Sequence, residues 1–471
     1  MEGIQVNSEW LKITTELVKD PDSLELWEKL VLVAENNQKK GINKASSDDE
    51  IELLRVSYES LLEKYPLLFN YWIRYASWEF KLGNTGKANN IYETGLQPLN
   101  HCIELWVEYL NFKIRTIRDN LDEIVDLFEK ARLQIGYHFH SYDFYKLYLK
   151  FLKDYQDIEP KFQVKYYVLL RIIIEIPLYH YEYFFKILFD LIAEIGKSQI
   201  LKNQIISSLV PKSELNTYKK LDLKSTSVQL KKIFVDVYIT TQFKVYELFQ
   251  FEKKITDSFF STQYISQQQL GNWDRYLDFL ELKEYPQECI ELTYHRCLIH
   301  TASYCQFWIK YANYFIVNQN FKQAANILTK GIFFCNDYNL IIKLVDIHIY
   351  LHEFFRARDL ILLYIKQNIF IPIPIYEKLL NLERLFNQDD DEYIANLFKE
   401  LIKETNNDWF FEHILYYSIP YELKNKLFVE FESNFLNSTI YKTSFEKLQK
   451  FQENLSIFPE IDYDLELKSF A

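Results

Sequence analysis

Glycine and proline are scarce in this chain of 471 residues, at 9 and 11 copies. So few turn formers argue against a turn-rich β architecture, and the abundance of Leu, Ile, Lys and Glu favours helix. Cysteine is thin as well. Cys102, Cys289, Cys297, Cys305 and Cys335 are odd in number and form no CxxC pair, which suits a reducing compartment. Cys289, Cys297 and Cys305 lie eight residues apart with His295 and His300 between them. Eight residues turn a helix by about 80°, so these sulfurs do not converge on a metal and read as buried structural thiols. No apolar run approaches 18 residues without a charge, and MEGIQVNSEW lacks the basic start and apolar core of a signal peptide. The expectation is a soluble intracellular protein with no membrane contact. Positive charge is in deficit, with 54 basic against 66 acidic residues and a net charge of -12. That balance excludes a surface built throughout for nucleic-acid backbone, although local basic patches remain.

Catalytic signatures are missing too: the chain holds no GxSxG and no HExxH. Residues 83–87, GNTGK, superficially resemble a phosphate loop. However, Lys81 stands where the motif's first glycine belongs, Ala88 replaces its Ser/Thr, and a helical pattern precedes it instead of a strand. A turn between paired helices explains the stretch better. His138 and His140 flank Phe139 without a third ligand at convincing spacing. Asp389, Asp390, Asp391 and Glu392 read as a helix start. No cofactor, metal or catalytic residue is expected.

What the chain does have is large aromatic side chains in register. Residues 71–96 place Trp72, Tyr75 and Trp78 on one face of a helix, which Gly83 and Asn84 then end. A second helix follows with Ala88, Ile91 and Tyr92, the small Ala88 permitting close approach. This hairpin of roughly 34 residues is too thin to bury both faces alone and needs neighbours. Trp106, Tyr109 and Phe112 repeat its phase at an offset of 34. Trp273, Tyr276 and Phe279 repeat it again, and Trp308 and Tyr311, answered by Ala324, follow 35 residues later. Trp27 opens the series on a helix whose start is expected at Asp20-Pro21, and a capping box is expected at Ser47 to Glu50. One such triplet is only an amphipathic helix, but four in the same phase predict an all-α fold, an α-solenoid of helical hairpins. The triplets could in principle stack bases, yet repetition at a single helical phase makes them packing residues.

The periodicity fades between residues 196 and 231, where lysines 219, 220, 224 and 231 gather, and a long helix is expected from Lys232 to Ile255. The expected organisation is an array over 1–195, a linker or degenerate repeat over 196–231, and a second array with dimerisation and capping helices over 232–471. The lysines read as a solvated connector.

Trp-x-x-Tyr-x-x-aromatic followed by Ala88-x-x-Ile91-Tyr92-Glu93 resembles the HAT (half-a-tetratricopeptide) repeat of RNA-processing proteins. Residues 71–97, 176–185 and 296–312 are similar to the splicing scaffolds that include pre-mRNA-processing factors 39 and 42, and the short lead before Trp27 looks more like factor 42. The likeness covers most of residues 20–365. It implies a nuclear, non-catalytic scaffold of the U1 small nuclear ribonucleoprotein that supports 5′ splice-site recognition in pre-mRNA splicing. It also implies two arrays, dimerisation through the second with a paralogue or with itself, and contacts to the zinc-finger C protein and auxiliary subunits. RNA contact would be secondary. The chain departs from the pattern where Leu280 and Phe315 replace the glutamate found at Glu79, and where copies after residue 340 lack the first-helix Trp. A different class, a helical-repeat protein that binds RNA directly, would need recurring polar readers at fixed positions, and none recurs here.

Overall fold

The computed structural model describes residues 8–36, 41–117, 120–256 and 258–455, which form 24 α-helices and no strand. The chain divides into two compact units, residues 1–307 and 308–471. None of the described helices is long and apolar enough to cross a membrane.

In the first unit α1 (Ser8–Lys19) packs on α2 (Leu24–Glu35), which pairs with α3 (Asp48–Lys64). Ser47 closes the capping box with Glu50 at the start of α3. The expected start at Asp20-Pro21 is corrected: Ser23 is the N-cap of α2, and Pro21 lies in the preceding turn. The central hairpin is α4 (Phe69–Leu82) and α5 (Thr85–Gly95), joined through Gly83 in the left-handed conformation at φ 97°. Three more hairpins follow: α6 (Ile103–Thr116) with α7 (Leu121–Ile135), α8 (Tyr142–Asp154) with α9 (Pro160–Ile173), and α10 (Tyr181–Ile195) with α11 (Gln199–Leu209).

The stretch of fading periodicity is helical: a short α12 (Leu215–Lys220) leads into α13 (Leu223–Glu252), 30 residues long. Asp222 caps α13 through Ser225 N, so the long helix starts nine residues before the expected Lys232. Its pattern hides that start because both of its faces carry apolar side chains. The hairpin α14 (Gln267–Leu282) and α15 (Gln287–His300) completes the unit. Between α13 and α14 the chain returns to the first hairpins, where Phe259 lies 4.9 Å from Phe69 and Phe260 lies 6.0 Å from Tyr65, ring centre to ring centre.

The second unit takes in α16 (Cys305–Val317) from Trp308 onward, with α17 (Phe321–Phe334). Next come α18 (Tyr338–Tyr350) with α19 (Phe354–Gln367), and α20 (Ile373–Phe386) with α21 (Asp391–Thr405). The unit ends in α22 (Trp409–Tyr416), α23 (Tyr421–Phe435) and α24 (Thr439–Leu455). Asp390 caps α21 through Tyr393 N at 2.8 Å. One core runs from Tyr376 through Phe410, Phe411 and Phe428 to Leu448, so these last helices fill one another's apolar faces without the tryptophan phase. Each unit is all-α, built of antiparallel hairpins stacked in the manner of an α-solenoid.

Candidate functional site

The site this architecture offers is the set of joints between hairpins. The first-helix tryptophans at 72, 106, 273 and 308 are buried, as are Tyr75, Tyr109, Phe112, Tyr276, Tyr311, Tyr92, Ala88 and Ala324. Trp27, Trp78 and Phe279 are half-buried. The indole explains the position of Trp27, Trp72 and Trp106. Trp27 Nε1 donates to Pro21 O at 2.9 Å, Trp72 Nε1 to Pro66 O at 2.9 Å, and Trp106 Nε1 to Asn100 O at 2.7 Å. In every case the acceptor lies six residues upstream, in the loop that enters the helix. At these three the ring fills the hairpin and its one polar atom satisfies a loop carbonyl, whereas the buried Trp273 Nε1 has no hydrogen-bond partner among the described residues.

Trp72 and Trp308 also have a glycine 23 residues later, on the partner helix of the same hairpin. A Cβ on Gly95 would stand 2.9 Å from the Trp72 ring, and one on Gly331 would stand 2.9 Å from Trp308. Only a residue without Cβ lets these helix backbones come so close. At the matching place after Trp273 the chain has Arg296, whose guanidinium lies 5.8 Å from the Trp273 ring centre.

The tyrosines carry the contact from one hairpin to the next. Tyr75 stacks on Tyr58 at 5.0 Å, Tyr109 on Tyr92 at 5.2 Å, Tyr148 on Phe128 at 4.3 Å and Tyr276 on Phe251 at 5.2 Å. Each hydroxyl donates to the glutamate that follows its stacking ring. Tyr75 reaches Glu59 at 2.6 Å, Tyr109 reaches Glu93 at 3.0 Å, Tyr148 reaches Glu129 at 2.6 Å and Tyr276 reaches Glu252 at 2.8 Å. An aromatic–Glu dipeptide thus grips the next hairpin's tyrosine by its face and its hydroxyl. Burial, then the neighbouring carboxylate, pushes Tyr75, Tyr109 and Tyr148 above the ordinary phenol range. Glu93 belongs to the motif read from sequence, but the pairing of these glutamates with tyrosine hydroxyls is not expected from it. Their signal was present as a recurring Tyr-Glu or Phe-Glu pair. The long α13 ends in Phe251-Glu252, so it serves α14 as an ordinary second helix would.

Carboxylates also lock the stack through arginine. Glu79 accepts from Arg55 Nε at 2.7 Å and NH2 at 3.1 Å, with Asn84 Nδ2 at 2.8 Å as a further donor. In the second unit Glu383 accepts the same two-pronged contact from Arg358. Leu280 and Phe315, at the position of Glu79, are buried apolar residues.

Between α13 and α15 the ion pair is instead Arg296 with Glu252, at 2.7 and 2.9 Å. Burial works against both charges, but each partner overcomes it. Glu252 is held well below the usual carboxylate range and Arg296 above the guanidinium range. Histidines surround the pair. His140 Nε2 lies 3.6 Å from Glu252, and His101 stacks on His295 at 4.0 Å. Burial and the Arg296 charge hold His138 well below its usual pKa. The structure therefore brings His138 and His140 to an ion pair.

Beside this node opens a cleft of about 430 Å³, with Phe69, Phe259 and Ile299 on its walls and exposed Glu104, Glu108 and Asp143 along it. Cys102 lines it too, but burial raises its thiol well above the ordinary value, which works against a thiolate nucleophile. Cys289 and Cys297 are buried like Cys102, whereas Cys305 and Cys335 are half-buried, which corrects the expectation for Cys305.

Comparison with known proteins assigns residues 11–188 to the family described as PRP39 N-terminal HAT repeat and residues 246–385 to the PRP39 C-terminal HAT repeat. Together the two matches cover about two thirds of the chain. Pre-mRNA-processing factor 39 of Schizosaccharomyces pombe is 30% identical over 326 residues, 66% of this chain and 52% of that protein. The U1 small nuclear ribonucleoprotein component PRP42 of Saccharomyces cerevisiae is 29% identical over 365 residues, 74% of this chain and 65% of that protein. Pre-mRNA-processing factor 39 of Xenopus laevis is 28% identical over 282 residues, 55% of this chain and 43% of its own length. The matched span is thus between 43% and 65% of these relatives' length.

Proposed function

Because the chain belongs to the PRP39 family of HAT-repeat proteins, we propose that it is a non-catalytic scaffold of pre-mRNA splicing. It works in the nucleus as a subunit of the U1 small nuclear ribonucleoprotein, bridging core and auxiliary proteins to support 5′ splice-site recognition. The observation that carries this reading is where the polar chemistry of the chain goes. Indole, phenol, carboxylate and guanidinium groups are used to join one hairpin to the next. A stack joined in that way presents extended surface to several partners at once. Two of its relatives, a pre-mRNA-processing factor 39 and a U1 small nuclear ribonucleoprotein component, point to the same process. In this reading the array over 232–471 carries dimerisation, with a paralogous subunit or a second copy. The zinc-finger C protein is among the core contacts.

Affinity purification of the tagged chain from nuclei, followed by mass spectrometry, tests the proposal. The expected result is recovery of U1 particle proteins together with a HAT-repeat partner. Recovery of an unrelated complex would overturn it. So would tight, salt-sensitive binding of bare RNA by the purified chain in a filter assay, which would favour a helical-repeat RNA binder.

A further inference from the structure

Helix α13 carries two apolar faces, and only one of them is covered. Leu230, Phe234, Val245 and Leu248 are buried on the inner face. There Thr241 Oγ1 donates to Ile174 O and Ser227 Oγ to Ile192 O, both at 2.9 Å. On the opposite side Val228, Val235, Ile239, Phe243 and Tyr246 are between 37% and 68% exposed. At 100° per residue these five fall within about 80° of arc and run for about 27 Å along the helix. Their sequence steps of 7, 4, 4 and 3 keep them on one face of the helix. Five large apolar side chains in one such stripe are a contiguous patch of the kind that marks an interaction site.

We propose that this face of α13 docks an amphipathic helix of a partner protein, apolar along its seam and acidic along one edge. The charge around the stripe selects that occupant. Lys232 falls within the seam, and Lys224 and Lys231 line one flank, all three exposed and without a salt bridge among the described residues. Asp236 is the acidic residue nearest the stripe, on the other flank. A lysine inside a seam sets register by pairing with an acid on the opposing helix. A second copy of α13 laid parallel would instead set Lys232 against Lys232. Single-stranded RNA would want a ladder of aromatic platforms, and three of the five side chains are aliphatic. The inference rests on the scaffold reading for its purpose, but the two fail separately. A chain that co-purifies with U1 proteins and ignores every peptide below loses only this inference.

The test is fluorescence anisotropy of synthetic 21-residue helical peptides with the purified full chain. One peptide carries Leu and Ile along the seam, a Glu facing Lys232 and Glu on one edge. A second has Lys in place of those Glu residues, and a third is a scramble of the first. The Glu peptide is expected to bind at least ~10-fold more tightly than the other two, and its binding should weaken by ~10-fold or more in Ile239→Glu/Phe243→Glu. Lys232→Glu should shift preference toward the Lys peptide. These side chains are exposed, so unchanged circular dichroism and melting of the variants will show that the fold is intact. Peptide binding that ignores charge or ignores the variants, or no binding at all, overturns the proposal. It is equally overturned if Ile239→Glu/Phe243→Glu abolishes binding of poly-uridine, or abolishes self-association measured by sedimentation.

Discussion

Changing Glu252 to glutamine removes the negative half of an ion pair whose positive half, Arg296, is 5% exposed. The guanidinium would then keep its charge with no counter-charge at 2.7–2.9 Å, and Tyr276 would lose a charged acceptor at 2.8 Å. Breaking a buried pair from one side costs about 3–5 kcal/mol. Arg296→Met should cost a similar amount for the opposite reason, since it strands a buried carboxylate. The double change leaves no uncompensated charge and should recover to within about 2 kcal/mol of the parent. Hydrogen exchange resolved by peptide suits the measurement, because the loss should fall on opening of α13 and α15 while α18 to α24 keep their protection. Single changes that lower the opening free energy by less than about 1 kcal/mol would refute the reasoning. So would effects that simply add in the double variant.

Three further outcomes follow from the same contacts. Gly95→Ala and Gly331→Ala each force a methyl against a tryptophan ring at 2.9 Å and should destabilise by about 1–3 kcal/mol; melting temperatures equal to the parent's would show that the hairpins have room to spare. Trp72→Ala and Trp308→Ala empty buried sites and should cost about 3–5 kcal/mol, a loss readable by thermal melting, where a shift under a degree or two would mean the rings are dispensable. His138 has its folded pKa depressed, so the unfolded chain takes up a proton near pH 6.5 that the folded chain refuses. Stability from this group is therefore complete above about pH 6.5 and declines as pH falls toward 5, and denaturant titrations of His138→Asn should show a flatter dependence over that window.

Much of the hairpin architecture was legible because its signals are local. Trp72, Tyr75 and Ala88 declare a helix phase within one or two turns, Gly83 announces its left-handed exit, and Ser47 with Glu50 completes a cap three residues apart. Asp20-Pro21 misled because Ser23, two residues closer to the apolar run, caps the helix instead. The start of α13 was missed for a different reason. Exposed Val228, Val235 and Ile239 blur the single apolar face by which a helix is read.

What the amino-acid order determined by itself was the repeating unit, since side chains three and four apart must share a helix face whatever surrounds them. Tertiary structure decided which polar atoms meet across the stack. Glu252 finds Arg296 from 44 residues away, and His101 stacks on His295 across a sequence separation that no periodicity records. Such partners are chosen by how successive hairpins rotate and lean on one another, a geometry that depends on how the buried rings at Trp72, Trp106 and Trp273 pack.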